Sequence, residues 1–130
     1  MSKRILAVDY GEKFIGFALS DERKKIAFPY KIIQNKGKKC FLEEIRKICQ
    51  KEKIEKIIFG LPIGLSGRET KQTQRVKVLV NYLSKKINLP IELVDERMSS
   101  KIVQKTFSKK RKRIDNLSAT IILQSYLEKY

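Results

Sequence analysis

The run Lys56-Ile57-Ile58-Phe59 is almost wholly apolar and too short for a helix. A helical pattern follows it, and then a second short apolar run at Ile91 to Val94. Strands without a polar side, joined through helices, must be covered on both faces, and this is the signature of parallel strands in an α/β sheet. The segments before them read as strands. Ile5-Leu6-Ala7-Val8 is ended by Asp9-Tyr10-Gly11 and resumed by Phe14 to Leu19, a hairpin pattern, and a third strand is expected at Ile26 to Ile33. Phe41, Ile45, Ile48 and Cys49 recur on one helical face, and Val76, Leu79, Val80, Leu83 and Ile87 do so in a second helix starting near Glu69 and stopped at Asn88-Leu89-Pro90. Ser99 or Ser100 can cap a short helix carrying Ile102, Val103, Thr106 and Phe107, and a last helix is expected from about Asp115 to Glu128. The expected order is βββαβαβαα. It implies an α/β fold with a five-stranded mixed sheet, three antiparallel strands and then parallel ones, flanked by helices in one domain over residues 1–130.

Charge narrows the function. The 130 residues hold 30 Lys plus Arg against 14 Asp plus Glu, a formal net charge of +16. About 2 to 8 charges suffice for solubility in a small domain, so the excess points to a polyanionic partner, with nucleic acid first and a membrane surface second. No 18-residue apolar run exists, and the opening MSKRILAVDYGEK turns acidic early, so the expectation is a cytoplasmic protein without a membrane partner. Histidine is absent, which removes Ser-His-Asp and Cys-His nucleophile systems, a His base and His-ligated metals. Catalysis then falls to carboxylates, Lys, Tyr, Cys or bound metal. Cys40 and Cys49 match no zinc spacing, and Cys49 lies on the apolar stripe of its helix.

Three carboxylate positions sit where elements begin or end. Asp9 closes the first strand, Asp95 and Glu96 close the fifth, and Asp115 opens the last helix, four residues before Ala119 on the face expected to pack on the sheet. Singly, each also fits turn, ion-pair or capping chemistry. Jointly they can hold one or two hard divalent cations, Mg²⁺ or Mn²⁺, at a phosphodiester. The acid-free basic segment from Lys101 to Arg113, with Lys109, Lys110, Arg111, Lys112 and Arg113 at its end, leads directly into Asp115, and Lys13 and Arg97 flank the other acids. These cations are the candidate nucleic-acid contacts, acting on phosphates without reading sequence. The stretch Gly60 to Gly67 reads as a loop before a helix, so Gly60, Gly64 and Gly67 are candidate phosphate-binding positions, although it lacks a Walker ending.

The motifs VDYGEKFIGFALSD, IIFGLPIGLSG, LVDERMSS and RIDNLSATIILQSYL, in this order, resemble the YqgF family, also called RuvX. The resemblance implies an RNase H-like nuclease, of a family first described as Holliday-junction-resolvase-like and later linked to maturation of the pre-16S rRNA 5′ end. It also implies a metal-binding triad at Asp9, Glu96 and Asp115, with Asp95 beside it. Glu96 is preferred to Asp95 by likeness alone, because strand alternation sends the two to opposite faces. Phe14 stands where the family often has Arg, and Gly64 and Ser66 stand where Asn and Asp are common. The leading expectation is a metal-dependent nuclease acting on structured RNA, most of all a pre-rRNA. Its alternatives are a DNA junction resolvase, which would need a homodimer where RNA trimming needs only a monomer, and a noncatalytic RNA-binding assembly factor. Asp-x-Gly near the start also resembles the phosphate loop of actin-like ATPases, which use two such domains.

Overall fold

A computed structural model describes residues 3–62, 68–95 and 117–129. The strands are β1 (Arg4–Tyr10), β2 (Phe14–Ser20), β3 (Ala27–Gln34), β4 (Ile54–Leu61) and β5 (Ile91–Asp95), and the helices are α1 (Lys38–Glu52), α2 (Lys71–Lys86) and α3 (Leu117–Leu127). They form one sheet in the order β3-β2-β1-β4-β5. β1 and β3 run antiparallel to β2, whereas β4 runs parallel to β1 and β5 parallel to β4. The expected mixed sheet is therefore present. The short helix expected around residues 99–107 lies outside the described residues, and no helix among those described is long and apolar enough to cross a membrane.

Local chemistry accounts for the turns. Gly11 closes the β1–β2 hairpin by donating its N–H to the Phe14 carbonyl at 3.0 Å, and a Cβ on Gly11 would stand 2.6 Å from that oxygen. α1 starts at Gly37, whose φ of 103° favours glycine, and it ends at Lys53 in the left-handed region. α2 starts at Lys71, two residues later than the sequence pattern places it, after the N-cap Thr70, which forms a reciprocal capping box with Thr73.

Alternation along the strands divides the core in two. On one face Leu6, Val8, Ile15, Phe17, Ile57 and Phe59 pack beneath Phe41, Ile45 and Ile48 of α1 and Val76, Leu79 and Leu83 of α2. On the other, Ile5, Ala7, Ala18, Ala27 and Ile58 meet Ala119, Ile122, Leu123, Tyr126 and Leu127 of α3. The sheet residues on the α3 side are mostly small, which lets a single helix lie close. β4 is buried on both faces as its apolar run requires, but β5 is only half-buried along its length. That is the correction to the expectation of two fully covered parallel strands: β5 forms an edge, and its Glu92 belongs to a polar contact with α3.

Candidate active site

Asp9 follows Ala7 by two residues, so it shares the α3 side of the sheet, while Tyr10 continues the Leu6–Val8 series on the α1/α2 side. The Asp9 backbone pairs with Gly16 on β2. On the other flank Val8 pairs with Phe59, so the next residue of β4, Gly60, lies alongside Asp9. Both neighbours lack a side chain. Asp9 thus stands near the end of the central strand between two positions that carry no side chain.

α3 runs away from this end, toward the end of the sheet where β1 begins. At its C-terminal half, the Tyr126 hydroxyl donates to Glu92 Oε1 at 3.2 Å and is also hydrogen-bonded by Lys56 Nζ, which in turn pairs with Glu92 at 2.6 Å. The contact with Glu92 first, and with Tyr126 second, holds the Lys56 ammonium above the usual lysine range, and Lys56 holds the Glu92 carboxyl below its ordinary value. Gln124 accepts from Ala27 N–H at 2.8 Å and donates to the Lys25 carbonyl at 3.1 Å. All of these partners lie at the end of the sheet where β1 begins. An 11-residue helix advances about 16 Å and the step from Ile5 to Asp9 covers about 13 Å, so the N-terminal end of α3 is directed to the level of Asp9. Gln124 belongs to the motif that carries the family resemblance, yet nothing in the sequence showed that its task is to hold α3 against the β2–β3 turn.

The opposite end of the sheet edge is basic. α1 and α2 both begin beside the Asp9 end: Asn35, two residues before the N-cap of α1, donates to the Gly11 carbonyl at 2.8 Å, and Gln72 in the first turn of α2 donates to the Tyr10 carbonyl at 2.7 Å. Neither helix has an acid in its first turn. Lys38 and Lys39 open α1 and Lys71 opens α2, all exposed, next to exposed Lys13 and Lys36. Helix N-termini carry partial positive charge, so lysines there concentrate positive potential rather than neutralise it.

The expected site residues fare as follows. Asp9 is at the strand end and Lys13 is exposed in the adjoining hairpin turn. Asp95 ends β5, but it continues the series Ile91 and Leu93, which packs on the α1/α2 side, so it lies on the face opposite to Asp9. Gly60 is not a loop residue. β4 extends through Leu61 because Gly60 pairs with Val94 and Leu61 with Asp95, so the Gly60 position is a strand position beside Asp9 rather than part of a phosphate loop. Glu96, Arg97, Lys109, Lys110, Arg111, Lys112, Arg113, Asp115, Gly64 and Gly67 lie outside the described residues. Among the described residues, no group of three or more Asp, Glu, Cys or His side chains converges to hold a metal ion.

Comparison with known proteins agrees with this architecture. In solved structures, the fold is similar to RuvC of T. thermophilus in complex with a Holliday junction substrate, with a TM-score of 0.60 at 11% identity over 95% of this chain and 91% of that one. It is also similar to the Fowlpox virus resolvase bound to Holliday junction DNA, with a TM-score of 0.54 at 13% identity over 97% of both chains. At such identities the likeness establishes the RNase H-like fold alone. Sequence relatives are nearer. Proteins provisionally named pre-16S rRNA nuclease are 38% identical over 133 residues in Clostridium kluyveri, covering 97% of both chains, and 34% identical over 131 residues in Maridesulfovibrio salexigens, covering 95% and 97%. The family profile described as RuvX, Holliday junction resolvase, matches residues 3–129. With that match over nearly the whole sequence, and relatives of the same length above 30% identity, the chain belongs to the RuvX family.

Proposed function

We propose that this chain is one nuclease domain over residues 1–130 that hydrolyses phosphodiester bonds in structured RNA, processing the 5′ end of pre-16S rRNA in the cytoplasm with a divalent cation. The observation that carries the reading is the setting of Asp9: a carboxylate at the end of the central strand, flanked by Gly16 and Gly60, at the end of the sheet where the basic starts of α1 and α2 gather. Family membership and the names of the relatives supply the reaction class and the substrate. Asp9 is a hard oxygen donor, which suits Mg²⁺ or Mn²⁺. Neither cysteine competes, because both lie on α1.

Asp9 is the central ligand in this reading. Asp95 lies on the other side of the sheet from Asp9, and by family likeness Glu96, the next residue in the sequence, and Asp115 are the second and third ligands of this reading. When bound, divalent cations supply an activated water and neutralise charge at the scissile phosphate. The chain's own part is to fix Asp9 near the end of β1 and to hold the substrate backbone through Lys13, Arg97 and the run Lys109, Lys110, Arg111, Lys112 and Arg113.

The test is cleavage of a labelled pre-16S rRNA 5′ fragment with Mg²⁺ or Mn²⁺, beside Asp9→Asn and EDTA controls. Cleavage abolished in both controls is the expected result. Binding without cleavage by both proteins would overturn the enzyme in favour of an assembly factor. The description of the matching family favours DNA junction resolution as the second reading; cleavage of a four-way junction by a dimer, with the rRNA fragment left intact, would establish it.

A further inference from the structure

Between the start of α1 and the Gln72–Tyr82 stretch of α2 lies a cleft of about 630 Å³, lined among others by Tyr10, Asn35, Lys38, Gln72, Arg75 and Tyr82. It is on the α1/α2 side of the sheet, so it is separate from the Asp9 face, yet Tyr10 is the next residue after Asp9. Its volume falls within the roughly 300 to 1,000 Å³ typical of ligand clefts. We propose that this cleft binds an unpaired nucleotide of the RNA strand whose scissile phosphate lies at Asp9, with the base on Tyr82 and the phosphate toward Lys38 and Arg75. The inference rests on the nuclease reading and adds to it a reason for choosing single-stranded segments.

Three features argue for this occupant. The lining pairs aromatic surface with cations: Lys38 Nζ lies 4.7 Å from the centre of the Tyr82 ring, and Arg75 stands at the rim, paired with Glu12 and hydrogen-bonded to Gln72. An arriving base takes the ring face and an arriving phosphate takes the ammonium, so one nucleotide replaces the cation–π contact by a stack and an ion pair. Next, the floor is rigid. Tyr10 packs edge-on against Phe41 with centroids 5.2 Å apart, and its hydroxyl donates to Asn35 Oδ1 at 3.3 Å. Finally, the amides of the wall are already engaged. Asn35 Oδ1 also accepts from Gly37 N–H while its Nδ2 serves the Gly11 carbonyl, and Gln72 is used by the Tyr10 carbonyl and Arg75. Recognition is left to stacking and charge, so the cleft selects for an unstacked base and not for its identity. A paired base, stacked in a duplex, does not present its face to Tyr82.

The experiment measures anisotropy of short labelled RNA, single-stranded and as a duplex, in EDTA so that nothing is cleaved. The proteins are the wild type, Tyr82→Ala, Tyr82→Phe and Val78→Glu, Val78 being an exposed residue on the cleft. Tyr82→Ala should weaken single-strand binding on the order of tenfold, equally for oligo-A and oligo-U, and leave duplex binding in place. Tyr82→Phe should bind like the wild type, and Val78→Glu should mimic Tyr82→Ala by placing a carboxylate against the phosphate. Unchanged single-strand binding in Tyr82→Ala and Val78→Glu, or equal losses on duplex and single strand, would overturn the cleft while leaving the nuclease reading intact. A wild type that binds neither RNA would overturn both.

Discussion

Replacing Gln124 tests whether α3 is held in place by its tie to the β2–β3 turn. Gln124 Oε1 accepts from the N–H of Ala27, a residue only 3% exposed, and Nε2 donates to the carbonyl of Lys25, which is exposed. In Gln124→Ala the Lys25 carbonyl turns to water at little cost. The Ala27 N–H cannot do so as readily, and an orphaned buried donor costs about 1–3 kcal/mol, so a loss of about 2 kcal/mol is expected. With an unfolding entropy of roughly 2.1 cal/mol/K per residue over 130 residues, this corresponds to a Tm about 7 °C lower. Gln124→Glu keeps the acceptor for Ala27 and gives up only the donor, while adding a charge near Glu128, whose Oε2 lies 3.4 Å from Nε2. It should cost about 1 kcal/mol or less. The assay is thermal and urea unfolding of the three proteins with an unchanged m-value. A loss below about 0.5 kcal/mol in Gln124→Ala, or a larger loss in Gln124→Glu, would refute the reasoning, because the acceptor at Ala27 is the only part of the contact assigned real weight.

Three further outcomes follow from the geometry. Gly11→Ala should destabilise by about 1–3 kcal/mol in urea, since its Cβ meets the Phe14 carbonyl at 2.6 Å and the hairpin bond must open. Glu92→Gln should lower stability at neutral pH and flatten the acid side of the stability curve. The folded Glu92 carboxyl titrates below its unfolded value of about 4.3, so its contribution is present above that pH and fades as acid protonates the folded form. The stability gap between wild type and Glu92→Gln at neutral pH should therefore close on acidification. Lys56, raised by the same pair, keeps its contribution below about pH 10.4 and loses it only on stronger alkalinisation. Toward a thiol reagent, Cys40 is exposed and should react at once, whereas burial pushes the Cys49 thiol up to about 11, so it should react only as the chain unfolds.

The apolar runs and helical stripes made the strand order legible, because a strand buried on both faces has nowhere to hide a polar residue. Boundaries were less legible. Gly60 and Leu61 look like the start of a loop, and only the pairing with Val94 and Asp95 shows that β4 continues through them. The same holds for the acids. The sequence put Asp95 and Glu96 side by side without saying which side of the sheet each takes; the packing of Ile91 and Leu93 under α1 and α2 places Asp95 away from Asp9. The aromatic cleft had no one-dimensional signal at all, since Tyr10, Lys38 and Tyr82 come from three elements that only the sheet brings together.

β3 is an edge strand on which Phe28 and Ile32 remain exposed, a combination that invites another chain to add a strand. The register shift opposite Phe17 and Ala18 lets both Tyr30 and Lys31 reach α1, through Glu52 at 3.0 Å and Glu44 at 2.6 Å. It also bends the free edge just where Pro29 removes a backbone donor. A second chain would find an interrupted row of amides there, so β3 is a poor template for edge-to-edge aggregation. The bulge that fastens α1 to the sheet thereby also helps to keep a concentrated solution of this basic protein from pairing through its own edges.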